Sequence, residues 1–200
     1  MMEVFDAIKK RRSVRAYTRE AISEDKVKRL VEAAIWAPSG HRIYAWRIAI
    51  LQQEDAVRRA KAVCPGVHGN PTALIILCRD KNKEKEAAES WVWRAKTEKK
   101  MYETEGFYFR SLEDFVDLLS IEDIAIAAQN ICLAATELGI GSCVIGVFSQ
   151  DGVRKLLDLP ENIVPQLLVS LGYPRVIPKL PPRRSVEDTV ICWIKGEGEQ

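Results

Sequence analysis

Apolar positions recur along this chain with two periods, and the switches between them mark out its elements. Val4, Phe5 and Ile8 fall at helical spacing and predict a short amphipathic helix that runs into Lys9-Lys10-Arg11-Arg12, cations that suit a helix C-terminus. Ser13 to Thr18 reads as extended. Val27, Leu30, Val31, Ala34 and Ile35 follow the i, i+3, i+4, i+7, i+8 rule of a buried helical face, with Ser23 as N-cap and Pro38-Ser39-Gly40 as the stop. Arg47–Leu51 reads as a strand, Glu54–Val63 as a short helix, and Ala73–Cys78 as a continuous apolar run suited to a central strand. Ile121–Leu138 is the strongest helical pattern. It is apolar nearly all round, which predicts a central helix covered on two sides, closed by Gly139 at its C′ position. Ser142–Val147, Val164–Gly172 and Thr189–Ile194 read as further strands, with a short helix over Gln150–Leu157. Strands and helices mixed in one chain without a linker predict a single α+β domain.

The segment from Arg79 to Arg110 breaks the pattern. It is rich in Lys and Glu but carries Trp91, Trp93, Tyr102, Phe107, Tyr108 and Phe109. Two readings stand side by side: a solvated helix with a few packing anchors, or a lid whose aromatics shape a pocket.

Composition narrows the classes. The 200 residues are 47% hydrophobic and 29% charged, which are globular values, and a net charge of +2 provides no large field for nucleic acid or another polyanion. The apolar stretch Ile124–Phe148 is interrupted by Gln129, Asn130, Glu137 and two glycines, so it does not read as a membrane span. The N-terminus has no apolar signal core. Five widely spaced cysteines without a C-x-x-C pair, alongside only two histidines, make neither a zinc set nor a disulfide framework. They read as packed small hydrophobes in a reducing cytoplasm.

The chemistry-bearing residues are few. In an extended chain Arg11, Ser13 and Arg15 project to one side and Val14 to the other. Two guanidiniums and a hydroxyl suit a phosphate monoester, and the distant pair Arg183-Arg184 can extend the cluster. Pro38-Ser39-Gly40 is a tight turn that lets a flat ligand approach the main chain. Gly139 to Cys143 is a glycine-rich entry to a strand without the spacing of a dinucleotide or P-loop motif. No nucleophile, acid–base or metal constellation is visible, so a bound cofactor carries the chemistry.

In combination and order these pieces resemble the nitroreductase family of FMN-dependent oxidoreductases. The resemblance runs through R-R-S-V-R-A-Y (Arg11–Tyr17), A-P-S-G (Ala37–Gly40) with Trp46 following, the helix from Asp123 to Ala135, G-I-G-S-C-V-I-G (Gly139–Gly146), L-G-Y-P (Leu171–Pro174) and P-R-R-S-V-E-D (Pro182–Asp188). It implies an α+β fold with a central, mostly antiparallel sheet flanked by helices, in an intertwined cytoplasmic homodimer. One domain would span residues 1–200, with an atypical charged and aromatic insertion at about 79–112 and a C-terminal arm at about 175–200.

The resemblance further implies that Arg11, Arg12, Ser13, Arg15 and Arg183 hold the phosphate and ribityl side of FMN. Pro38, Ser39, Gly40 and Arg42 would lie on one side of the isoalloxazine, and Ile145 and Gly146 on the other. NADH or NADPH would deliver a hydride to the flavin in a ping-pong cycle, and a small conjugated acceptor (a nitro compound, quinone or similar) would take the electrons. The alternatives are a flavin carrier without nicotinamide turnover, and a dehalogenating or flavin-consuming member of the superfamily. No nucleic acid or membrane partner is expected. Two departures stand out. Arg42 and Tyr44 replace an Asn and a Gln, which favours an anionic acceptor over neutral nitroaromatics, and Pro181 replaces a lysine in the arm.

Overall fold

The predicted helices form at α1 (Val4–Lys10), α2 (Glu24–Ile35) and α3 (Glu54–Val63), and α3 has the bounds the sequence predicts. The computed structural model describes residues 2–98 and 112–194. Its sheet is built from β1 (Trp46–Leu51), β2 (Ala73–Asp80), β3 (Gly141–Ile145) and β4 (Ile163–Gly172) in the order β1-β2-β4-β3, with every neighbouring pair antiparallel. The helices α4 (Lys81–Glu98), α5 (Leu112–Glu137), α6 (Gln150–Leu156) and α7 (Val186–Thr189) complete the set among the described residues. This is the α+β architecture expected from the pattern.

All eight residues of β2 are buried, and their alternation divides the core in two. Ala73, Ile75 and Leu77 point to one face and pack with Val27, Leu30, Ile124, Ala128 and Ile131 from α2 and α5. Leu74, Ile76 and Cys78 point to the other and pack with Val57 and Ala60 of α3 and Val153 of α6. Each large side chain so buried contributes about 1.5–3 kcal/mol. Pro165 sits in β4 where the pairing with β2 shifts register, a bulge that spares the ladder a missing donor.

α5 is 26 residues, about 39 Å of helix. By length and composition it could cross a membrane, yet Val116, Ile124, Ala127, Ala128, Ile131 and Ala135 are buried in the core, as a central helix requires. Its start lies nine residues before the predicted Ile121, because the helix already runs through Leu112 to Ser120, just after the charged segment. Gly139 ends it at φ +71. The aromatic lid predicted around Trp91–Phe109 lies outside the described residues, apart from the backbone of α4.

Two expectations need correction. Ile35, predicted on the buried face of α2, is 58% exposed, because it is the helix's last residue and lines the open groove beside Trp36 and Pro38. Thr189–Ile194 is not a strand. Ser185 Oγ accepts from Asp188 N–H at 3.0 Å and nucleates the single turn α7, and the β-branched residues that follow have no strand edge within reach. The stretch after Pro174 instead forms an arm on which Ile177, Leu180, Ile191 and Trp193 are exposed.

Candidate functional site

Apart from Arg183 on the arm, the residues from Arg11 to Gly146 that were expected to act together are positioned by three loops. The first is the extended segment 11–18. Ser13 bridges in parallel to Ser142 at the start of β3, and Val14 N–H donates to Ser142 O at 2.9 Å. Further along, Thr18 N–H donates to Tyr173 O at 2.8 Å, and Arg175 N–H to Ala16 O at 2.9 Å. Val14 is buried over Gly141, where a Cβ would come within 2.8 Å of it. The alternation therefore holds: Val14 turns inward while Arg11 and Ser13 are half-buried and Arg15 is exposed. Gly69, at φ +64, backs onto the Arg15 carbonyl with no room for a side chain. Arg12 lies on the Val14 side. Its Nη1 donates to Lys9 O at 2.6 Å and Arg11 O at 2.8 Å, closing the C-terminus of α1.

The second loop is the turn after α2. Ser39 Oγ donates to Asp123 Oδ2 at 2.6 Å and accepts from Tyr44 N–H at 3.0 Å, and Gly40 N–H donates to Asp123 Oδ1 at 2.9 Å. Asp123, on α5, is 3% exposed. Between these anchors His41, Arg42 and Tyr44 adopt φ of 51°, 60° and 46°. Left-handed backbone costs a non-glycine residue about 1–2 kcal/mol, so the anchors hold a strained segment. Its end is fastened as well, because Asp80 N–H donates to Ala45 O at 2.6 Å. The Asp80 carboxylate meanwhile takes Arg47 Nη2 at 3.0 Å and Asn162 Nδ2 at 3.1 Å. Beside this loop lies an open groove of about 640 Å³ lined by Trp36, Pro38, Tyr44, Trp46 and Arg47.

The third is the exit of β3. Ile145 is buried beside Gly66, whose N–H donates to Val147 O at 3.1 Å, and Gly146 is exposed. A Cβ at Gly146 would meet no atom within 4 Å, and its φ is not left-handed. Packing and conformation within this chain thus leave its lack of a side chain unexplained.

Arg11, Ser13 and Arg15 lie along β3, whose end carries Ile145 and Gly146. Pro38, Ser39, Gly40 and Arg42 precede β1. β1 and β3 stand at the two ends of the strand order, so the turn leads into one outer strand while the cations lie along the other. Arg183 is exposed on the arm. Asp123 was missed as a site residue. The available signal was an acidic pair, Glu122-Asp123, at the head of the predicted apolar helix Ile121–Leu138.

The remaining titratable groups are structural. Burial pushes the Cys64 thiol up to about 11 and Cys78 up to about 12, and raises Cys132 too. Among the described residues no cluster of His, Cys, Asp and Glu has metal-binding geometry.

The sequence profile of the nitroreductase family matches residues 8–173. This chain belongs to the nitroreductase family. A family relative from Archaeoglobus fulgidus, provisionally named NADH dehydrogenase/NAD(P)H nitroreductase, is 30% identical over 181 residues, covering 88% of this chain and 87% of its own. FMN reductase (NADPH) of Bacillus subtilis is 26% identical over 190 residues, 92% of this chain and 70% of the relative. Among solved structures, NfrA1 of B. megaterium superposes with a TM-score of 0.72 at 28% identity, covering 98% of this chain and 76% of that one. A nitroreductase family protein from Streptococcus pneumoniae gives 0.74 at 20% identity, covering 96% and 100%, and attests the fold.

Proposed function

We propose that this chain is an FMN-dependent oxidoreductase that takes electrons from NADH or NADPH and passes them to a small conjugated acceptor, working as a homodimer. The observation that carries the reading is the face formed by Arg11, Ser13 and Arg15 beside β3, leading to an exposed glycine where a flat group can lie against the main chain. The donor set fits FMN: guanidiniums and a hydroxyl for its phosphate, and the open space at Gly146 for its ring. Bound FMN supplies acceptance of a hydride from the nicotinamide and return of the electrons to an acceptor.

The protein's own residues bind, orient and polarise. Arg11 and Ser13 hold the phosphate, with Arg183 approaching from the arm and Arg12 fixing the end of α1 behind them. Arg15 places positive charge where negative charge gathers on reduction. The Pro38-Ser39-Gly40 turn, supplied by a second copy, would lie on one side of the ring and Ile145-Gly146 on the other. Arg42, exposed on the loop that brings Tyr44 to the groove, would draw an anionic acceptor. Separation of the two groups across the sheet supports a site completed by a second copy. So do the exposed apolar residues Val4 and Phe5 of α1, Trp36, Val147 and the arm, which a partner would cover. Donor and acceptor use one position in turn, which is the ping-pong order.

The test is an anaerobic visible spectrum of the purified protein before and after NADH and then NADPH. Flavin bands that bleach are expected. Bands that persist would replace the reductase by a flavin carrier, and the absence of bands after incubation with FMN would overturn the reading.

A further inference from the structure

The loop from Ser39 to Tyr44 is strained, and nothing in its own sequence accounts for its shape. His41, Arg42 and Tyr44 are all in the left-handed region, where glycine or asparagine would be expected. The hydrogen bonds that oppose this strain converge on one group. Asp123 presents both carboxylate oxygens to the loop, one to Gly40 N–H at 2.9 Å and one to Ser39 O–H at 2.6 Å, and Ser39 Oγ passes the restraint to Tyr44 N–H at 3.0 Å. The group is nearly inaccessible to solvent and stands on α5, whose next residues Ile124, Ala127, Ala128 and Ile131 are buried in the core. On the next turn back, Leu119 presses its methyls to within 2.9 Å of where a Gly40 Cβ would lie, so the loop also rests on the helix sterically.

We infer that Asp123 is a positioning residue: acting through Ser39, it holds the strained loop in the form that directs Arg42 and Tyr44 at the electron acceptor. This rests on the flavoenzyme reading for its acceptor half only. The chemistry predicts graded effects. Asparagine at 123 can still accept from Gly40 N–H but cannot accept the Ser39 proton at its other atom. Alanine at Ser39 breaks the link to Tyr44 while leaving the Gly40 bond intact.

The experiment uses the FMN-loaded protein and the variants Asp123→Asn, Asp123→Ala and Ser39→Ala. Amide hydrogen exchange is followed over peptides covering 39–45, with peptides from β2 and the later turns of α5 as internal references. In parallel, KM and kcat are measured at saturating FMN and NADPH with 4-nitrobenzoate and with nitrobenzene, along with the rate of flavin bleaching by NADPH. Loss of a hydrogen bond to a buried charge predicts exchange at Gly40 and Tyr44 faster by about tenfold or more, with the references unchanged. KM for 4-nitrobenzoate rises by a similar factor and by more than KM for nitrobenzene, while the bleaching rate reports separately on the turn's contact with the flavin. Asn is expected to act more mildly than Ala.

Unchanged exchange over 39–45 would overturn the inference, as would acceleration spread equally over the references, which marks a merely structural residue. Faster local exchange with unaltered KM would refute the role toward the acceptor. If Asp123→Ala does not fold, Ser39→Ala decides. If the parent protein binds no flavin, the exchange measurement still judges the strut, and the acceptor half falls with the flavoenzyme reading.

Discussion

Tyr17 lies against Gly172 so closely that a Cβ there would come within 2.8 Å of the phenol ring. Its Oη donates to Val14 O at 2.6 Å and lies 2.9 Å from Ser170 Oγ. One side chain thus ties the cation-bearing segment to β4 and fixes how far Arg11 and Arg15 extend beyond the sheet. Burial raises the Tyr17 pKa far above its ordinary 10.0, with the Ser170 hydrogen bond opposing the shift.

Tyr17→Phe should therefore destabilise the protein by about 1–3 kcal/mol, because Val14 O loses its buried donor. The pH dependence follows from the raised value: the stabilisation is complete below the unfolded pKa near 10.0 and is lost as pH rises above it. Urea unfolding from pH 8 to 11 should show a steeper alkaline loss in the parent than in the variant. Equal slopes would remove Tyr17 from the account.

Replacing Arg11 and Arg15 together by Ala should release FMN while leaving the fold largely intact, since Arg15 is exposed and Arg11 only half-buried. Flavin titration should show affinity weakened by at least a hundredfold, from two charge-assisted contacts at about 1.5–3 kcal/mol each. Far-UV circular dichroism of the flavin-free forms should coincide. Full flavin occupancy in the double variant would reject the phosphate assignment.

Gly146 separates cofactor contact from folding. With open space around it and no left-handed backbone, Gly146→Val should change the stability of the flavin-free protein by no more than about 0.5 kcal/mol. Its FMN affinity should nevertheless fall at least tenfold, as a side chain takes the space of the ring. By contrast, Gly139→Val should destabilise the fold itself, owing to φ +71. Thermal melts with and without FMN check both.

Acid should act on the junction of α4 and α5. Asp117 resists protonation: burial alone would raise its pKa, but Lys81, at 2.9 Å, and Arg79 outweigh this and lower it below 3.8. The stabilisation is thus present above the unfolded pKa near 3.8 and disappears as pH falls below it. In Tm measurements from pH 7 to 3, Asp117→Asn should start lower and lose less. A variant that loses as much as the parent would exclude this ion pair as the cause.

The elements legible in the sequence were those whose apolar period is decided locally. β2, α3 and the Gly139 stop are examples, and the alternation that turns Val14 inward and Arg11 and Ser13 outward was readable too. The errors share a cause. Val190, Ile191 and Trp193 carry the composition of a strand, but a strand needs an edge to pair with, and no periodicity records where one is. Ile35 fits the apolar face of α2, yet the open groove it lines at the helix end depends on tertiary placement. Asp123 went unnoticed because its partners, Ser39 and Gly40, are more than eighty positions away, and a buried carboxylate is recognisable only once its donors are known.

The placement of the turn at one sheet edge and the cations at the other has a genetic meaning. In the proposed homodimer, with copies related by a two-fold axis, each site would draw on both chains. A chain whose Pro38-Ser39-Gly40 turn is disrupted and a chain lacking the Arg11 and Arg15 guanidiniums would each be impaired alone, yet together would assemble one undamaged site alongside one that carries both lesions. Defects at opposite edges thus complement each other, whereas two defects at the same edge never do.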